Sequence, residues 1–229
     1  MKVKLVFTVV IALTLATFAH ATTIVYNNGG PNQQGGNEMT EWIQSEDFTL
    51  TQTVRVTDVH FWDLELPNSG YQGLISWWIT PDLNGFPNIG ASLTLGQNFG
   101  ASVTRTQIQC GIFGLYCEFS DDFTFAGSGI VLGPGTYHLA LHNGDTSFNT
   151  RSEFYWETTN PNGTQTGLEC DLTVISDCTT GNGSDYFNNG AEHAFYLTGT
   201  TGVPEPSTFV MLGTGILGLA GALLRKLTL

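Results

Sequence analysis

Glu153 and Glu157, His138 and His142, four cysteines and five tryptophans are the side chains whose types and spacing could do chemistry in this chain. A carboxylate pair cleaves a glycosidic bond when its groups stand roughly 5–9.5 Å apart. On one strand, at about 3.4 Å per residue, Glu153 and Glu157 stand about 13 Å apart, so they read as a solvated face opposite Phe154 and Trp156. The same spacing keeps His138 and His142 from chelating one metal as an i, i+4 helical pair does. They read as core or rim histidines. Gly-x-Ser-x-Gly, HExxH and phosphate-loop patterns are absent from the sequence. The chain therefore reads as non-enzymatic, with no catalytic residue assigned.

Sugar binding is the better-supported chemistry. Trp42, Trp62, Tyr71, Trp77, Trp78, Tyr155 and Trp156 stand in an acidic, amide-rich chain, and aromatic faces stack on pyranose rings. Strand alternation sends the adjacent Trp77 and Trp78 to opposite faces, so one is expected to fill the core and the other to reach the surface as a candidate glycan contact. Packing of all five tryptophans is the competing reading. Asp82, Asn84, Asp121, Asp122 and Asp145 are hard oxygen donors in or near turns and make calcium conceivable. They match no complete EF-hand loop, and ordinary turn chemistry accounts for them. No cofactor is assigned.

These side chains are positioned by short β-rich runs between turn clusters: 48–66, 71–80, 92–95, 102–109, 118–125, 136–142, 153–158 and 191–198. Tyr137, Leu139 and Leu141 alternate with His138 and His142, and Ala191, His193, Phe195 and Leu197 share a face. Turns are marked by Pro67-Asn68-Ser69-Gly70, Pro81 to Gly85, Gly133-Pro134-Gly135 and Asn143-Gly144-Asp145. The fold class is all-β, an antiparallel β-sandwich with jelly-roll topology as a variant, in one domain over residues 22–198. Residues 27–40 and 160–189 read as long polar loops, flexible or functional. Thr-x-Thr occurs at Thr49 to Thr53 and Thr104 to Thr106 without a fixed period, so the body departs from an ice-binding solenoid.

Both ends are targeting segments. Residues 1–21 carry Lys2 and Lys4, an apolar run from Leu5 to Phe18 and Ala19-His20-Ala21, the pattern of a signal peptide cleaved after Ala21. Residues 199–207 form a linker holding Pro204-Glu205-Pro206, and residues 208–229 a transmembrane helix and basic tail. Thr208 to Leu224 has no charge and spans about 25 Å as a helix, slightly under the roughly 30 Å hydrocarbon core. Arg225 and Lys226 beyond it belong on the cytoplasmic side, so the body faces outward. Export makes disulfides the natural state of Cys110, Cys117, Cys170 and Cys178. Three connectivities exist; the short separations and the intervening Gly111, Gly114 and Asp177 favour the two local loops, Cys110 to Cys117 and Cys170 to Cys178.

The order of Pro204-Glu205-Pro206, a Gly-rich span and Arg225-Lys226 resembles the PEP-CTERM sorting signal of exported proteins in Gram-negative bacteria. A similar tail occurs on some ice-binding proteins. The resemblance implies signal peptidase and an exosortase-type membrane protease as partners. It also implies an inner-membrane precursor held by its C-terminal helix, then release to the cell surface or extracellular matrix. His60-Phe-Trp62, Ser76 to Thr80 and Leu141 to Gly144 loosely resemble the extracellular sandwiches that precede such tails. Between the targeting segments the body has no lysine and three arginines, Arg55, Arg105 and Arg151, against nineteen of the twenty acids. A surface with about sixteen negative charges repels nucleic acid and anionic lipid. The reading is a non-enzymatic surface or matrix protein, with a carbohydrate-binding module for extracellular polysaccharide as the alternative.

Overall fold

The computed structural model describes residues 22–67, 70–88, 95–101, 103–161, 166–174, 178, 185–201 and 215. The leader before Thr22, Pro204, Glu205, Pro206, Arg225, Lys226 and all of the apolar span except Gly215 lie outside the described residues. Among the described residues no helix is long and apolar enough to cross a membrane.

The described residues form strands β1 (Thr23–Gly29), β2 (Pro31–Glu38), β3 (Trp42–Leu50), β4 (Val54–Glu65), β5 (Ile75–Pro81), β6 (Leu95–Ala101), β7 (Thr104–Ile112), β8 (Tyr116–Thr124), β9 (Ile130–Leu132), β10 (Gly135–Asn143), β11 (Phe154–Thr159), β12 (Leu168–Asp171), β13 (Phe187–Asn188) and β14 (Phe195–Thr201). They build two antiparallel sheets. The first runs β1-β14-β4-β11-β2, with β9 and β8 on the other edge of β4 and β7 beyond β8. The second runs β13-β12-β3-β10-β5-β6. The result is all-β and sandwich-like.

The core follows from period two. Strand β4 directs Val54, Val56, Val59 and Phe61 inward, and they meet Phe48, Ile79, Leu139 and Leu141 of the other sheet in one apolar cluster. The inward phase slips by one residue at Thr57 and Asp58, where the pairing with β14 is irregular. Phe195 and Leu197 join this cluster as the alternation from Ala191 requires, and His193 stacks on Trp156 with ring centroids 4.6 Å apart. A second apolar cluster, containing Ile43, Trp78, Ala140, Leu168, Cys170, Cys178 and Tyr186, covers the outer face of the second sheet.

Two expectations about connectivity are corrected. The polar stretch 27–40 is not a loop: most of it forms the end of β1 and all of β2. Residues of β2 pair with β11, Gly36 opposite Glu157 and Glu38 opposite Tyr155, so ladder hydrogen bonds override a sequence of low β-propensity. Gly36 permits this approach, because a Cβ there would stand 2.8 Å from the Trp156 carbonyl oxygen. The run 48–66 is broken at Thr51 to Thr53, where the chain leaves β3 in one sheet and enters β4 in the other.

Candidate functional site

Alternation does separate Trp77 from Trp78, but neither reaches the surface. Trp77 points between the sheets, its ring centroid 4.5 Å from that of Phe125, and is 5 % exposed. Trp78 points outward from the second sheet and is 1 % exposed. The expected exposed platform is absent because Leu168, Cys170, Cys178 and Tyr186 pack over that outer face. As placed, neither ring offers a face to a sugar. Trp156 is fully buried and donates from Nε1 to the Ala194 carbonyl at 2.9 Å, whereas Trp42 and Trp62 are half-buried.

The acids cluster inside the sandwich. Arg105 donates from Nη2 to Asp63 at 2.7 Å, from Nη1 to Glu65 at 3.2 Å and from Nε to Asp121 at 3.0 Å. Its guanidinium also lies over the rings of Tyr71 and Phe119. Burial opposes the charge on Arg105, but Asp63, Asp121 and Glu65 outweigh it and hold the guanidinium protonated. Burial, then the neighbouring Asp121, raises Asp63 well above the usual carboxylate range. Such a cluster is a packed internal network.

Glu157 corrects the expectation of a solvated face. Its side chain is buried, and burial together with the charge of Glu118 pushes it up to about 8. Oε1 of Glu157 accepts the Gln33 backbone N–H at 2.9 Å, while Gln33 and Gln109 donate side-chain amides to Glu118. The cause is β2, which folds Gln33 over a face that β11 alone would expose. Glu153 is instead bound by Arg151, Tyr116 and Tyr155 at the rim. His193 and Glu46 form a second buried pair at 2.9 Å. Burial lowers His193 to about 4 and raises Glu46 well above the usual carboxylate range.

The remaining candidates are placed as follows. Cys110 bonds Cys117 across the β7–β8 ladder, and Cys170 bonds Cys178, tying β12 to the cover of the second sheet. The turn oxygens are dispersed. Asp82 caps Gly85 and accepts from His138 Nε2 at 2.9 Å, Asp121 holds Arg105, Asp122 contacts His60, and Asp145 closes a turn at Ser147. Among the described residues no group of three acids, histidines or cysteines could hold a metal ion. His142, buried and lowered by that burial, donates to the carbonyls of Thr40 and Phe148 and is a structural pin.

A cleft of about 450 Å³ opens on the outer side of the second sheet. One wall is Asn84, Gly85 and Phe86, from the loop after β5. The other is Thr166 and Leu168 with Tyr186, Phe187 and Asn188. The Thr166 hydroxyl is fixed by donation to Asp47, and the Tyr186 hydroxyl by donation to the Cys178 carbonyl at 3.2 Å. Among the described residues the lining is largely aromatic and amide, with no charged side chain. Sequence reasoning missed these residues because two far-apart loops bring them together. The available signal was the polar stretch 160–189, which pairs a disulfide with adjacent Tyr186 and Phe187.

Beyond β14 the sequence changes character, and residues 202–226 match the family model described as the PEP-CTERM protein-sorting motif. The chain carries a PEP-CTERM sorting motif. That motif marks it for exosortase processing and for export to the cell surface or beyond. It spans about a tenth of the chain, so it speaks for the destination of the sandwich and leaves its chemistry open. No curated protein matches the chain.

Proposed function

We propose that the chain is an exported, non-enzymatic protein of the cell surface or extracellular matrix. Signal peptidase removes the leader, the C-terminal helix holds an inner-membrane precursor, and an exosortase-type protease frees the body. The carrying observation is the PEP-CTERM motif starting at residue 202, directly after the last strand ends at Thr201. The non-enzymatic part is supported by the state of the acids: Asp63, Asp121, Glu46 and Glu157 are buried in internal hydrogen bonds, whereas a general acid or base must touch substrate. Cell fractionation with terminal peptide mapping tests the reading. Material outside the cell that begins near Thr22 and lacks the apolar span supports it. Extracellular material ending at Leu229 counts against the processing step, and hydrolysis of an extracellular polysaccharide by the purified chain defeats the non-enzymatic part.

A carbohydrate-binding module for extracellular polysaccharide is the second reading. The aromatic and amide cleft of the second sheet favours it.

A further inference from the structure

The body has a formal charge of about −16, yet no described residue lining the cleft beside β12 is charged. Phe86 and Phe187 supply ring faces, and Asn84 and Asn188 supply amides that both donate and accept. Phe187 is 43 % exposed and makes an edge contact with Trp42, centroids 5.6 Å apart, so it is held at the mouth and not tucked into the core. A cavity of this size suits a small ligand or a short polymer segment. Asp47 and Asp82 flank the cleft through their bonds to Thr166 and Gly85. Their charges, with no cation among the described lining residues, disfavour an acidic guest.

The layer beneath is polar. Ser45 lies opposite Leu168 in the β3–β12 ladder, and His138 and Thr80 lie opposite each other in the β10–β5 ladder on the same outward face. Ser45 Oγ, Thr80 Oγ1 and His138 Nδ1 are buried without a hydrogen-bond partner among the described residues. His138 donates from Nε2 to Asp82, which leaves Nδ1 as an acceptor. None of these three residues lines the cleft, so they give a guest no direct contact.

We propose that this cleft binds a segment of neutral polysaccharide, one sugar ring resting against Phe187 while its hydroxyls meet Asn84 and Asn188. The assignment rests on the carbohydrate-binding reading and adds to it a site and a ligand class. No bond is made or broken.

Calorimetric titration of the full chain, kept in a detergent without a sugar headgroup, tests it. The probes are cellohexaose, laminarihexaose, mannohexaose and xylohexaose, with a polygalacturonate oligomer as the acidic comparator. At least one neutral probe binds saturably. Phe187→Ala and Asn84→Gly each weaken that binding about tenfold or more, while Phe113→Ala, also at an exposed ring but on the β7–β8 hairpin, leaves it unchanged. Asn84→Gly is the second variant because the backbone there has φ 57°, which glycine adopts without strain. Binding that survives both cleft variants overturns the site and leaves the carbohydrate-binding reading standing. Failure of every probe to bind overturns both, and preference for polygalacturonate overturns the neutral class.

Discussion

Arg105 on β7 reaches over β8 to Asp63 on β4, closing at 2.7 Å while its Nε binds Asp121 on the strand between. One guanidinium thereby laces three strands of the first sheet through its inner face, where Phe119 and Tyr71 cover it. Removing the cation leaves Asp63, Glu65 and Asp121 together without a counter-charge. Arg105→Ala is expected to cost about 3–5 kcal/mol in denaturant unfolding, the usual penalty for breaking a buried pair from one side. Arg105→Lys keeps the charge but loses the three-way fork, and should fall between wild type and Arg105→Ala. An Arg105→Ala protein as stable as wild type would mean that the cluster carries no net stabilisation.

The two tryptophans of β5 serve different cores. Trp77→Ala empties space beside Phe123 and Phe125 between the sheets, and Trp78→Ala empties space under the Cys170–Cys178 cover. Each substitution should lower stability by about 3–5 kcal/mol. Urea midpoints measure this, and a neutral result at either position would place that ring at the surface after all.

Glu157 gives the fold a dependence on alkali. Its folded-state value of about 8 lies above that of an unfolded glutamate, so the native state holds a proton that the unfolded chain releases. The contribution is fully present below about pH 4.3 and is lost as pH rises to about 8. Glu157→Gln still accepts the Gln33 N–H and can donate to Glu118. It should flatten that decline and raise stability near pH 8 by about 1–3 kcal/mol. Thermal unfolding of both proteins from pH 5 to 9 gives the comparison, and parallel curves would contradict the assignment.

The two disulfides should differ in worth. Each closes a short loop, seven and eight residues apart in sequence, which limits the entropic gain. Cys170 and Cys178 are buried in the second cluster, whereas Cys110 sits on an exposed strand whose ladder already fixes the turn. The double substitution Cys170→Ala/Cys178→Ala should cost about 2–4 kcal/mol, and Cys110→Ala/Cys117→Ala about 1 kcal/mol. Equal losses on denaturant titration would refute the distinction.

Sequence reasoning could see what depends on local pattern. The alternation of Tyr137, Leu139 and Leu141 against His138 and His142 is the alternation of β10, and the cysteine pairs favoured by their short separations are the pairs that bond. It failed where a partner strand decides. Residues 31–38 carry no apolar pattern and become a strand only because β11 offers its edge, and the same event buries Glu157. Trp78 alternates outward as expected, yet a cover formed nearly one hundred residues later in the chain removes it from solvent. The cleft joins Phe86 to Tyr186 and Phe187 across a similar distance. Nothing local marks such pairs.

The scarcity of cations in the body also sets how the protein ages outside the cell. A protease that cuts after basic residues has three sites between the targeting segments. Arg55 lies in β4, laddered on both sides by β14 and β9, and Arg105 lies in β7 with its side chain turned into the sandwich. Only Arg151, outside any strand with its side chain more than half exposed, presents a bond such an enzyme can thread. Trypsin-class digestion of the folded body therefore begins at Arg151–Ser152 and yields two pieces that β11, paired with both β2 and β4, keeps in one particle.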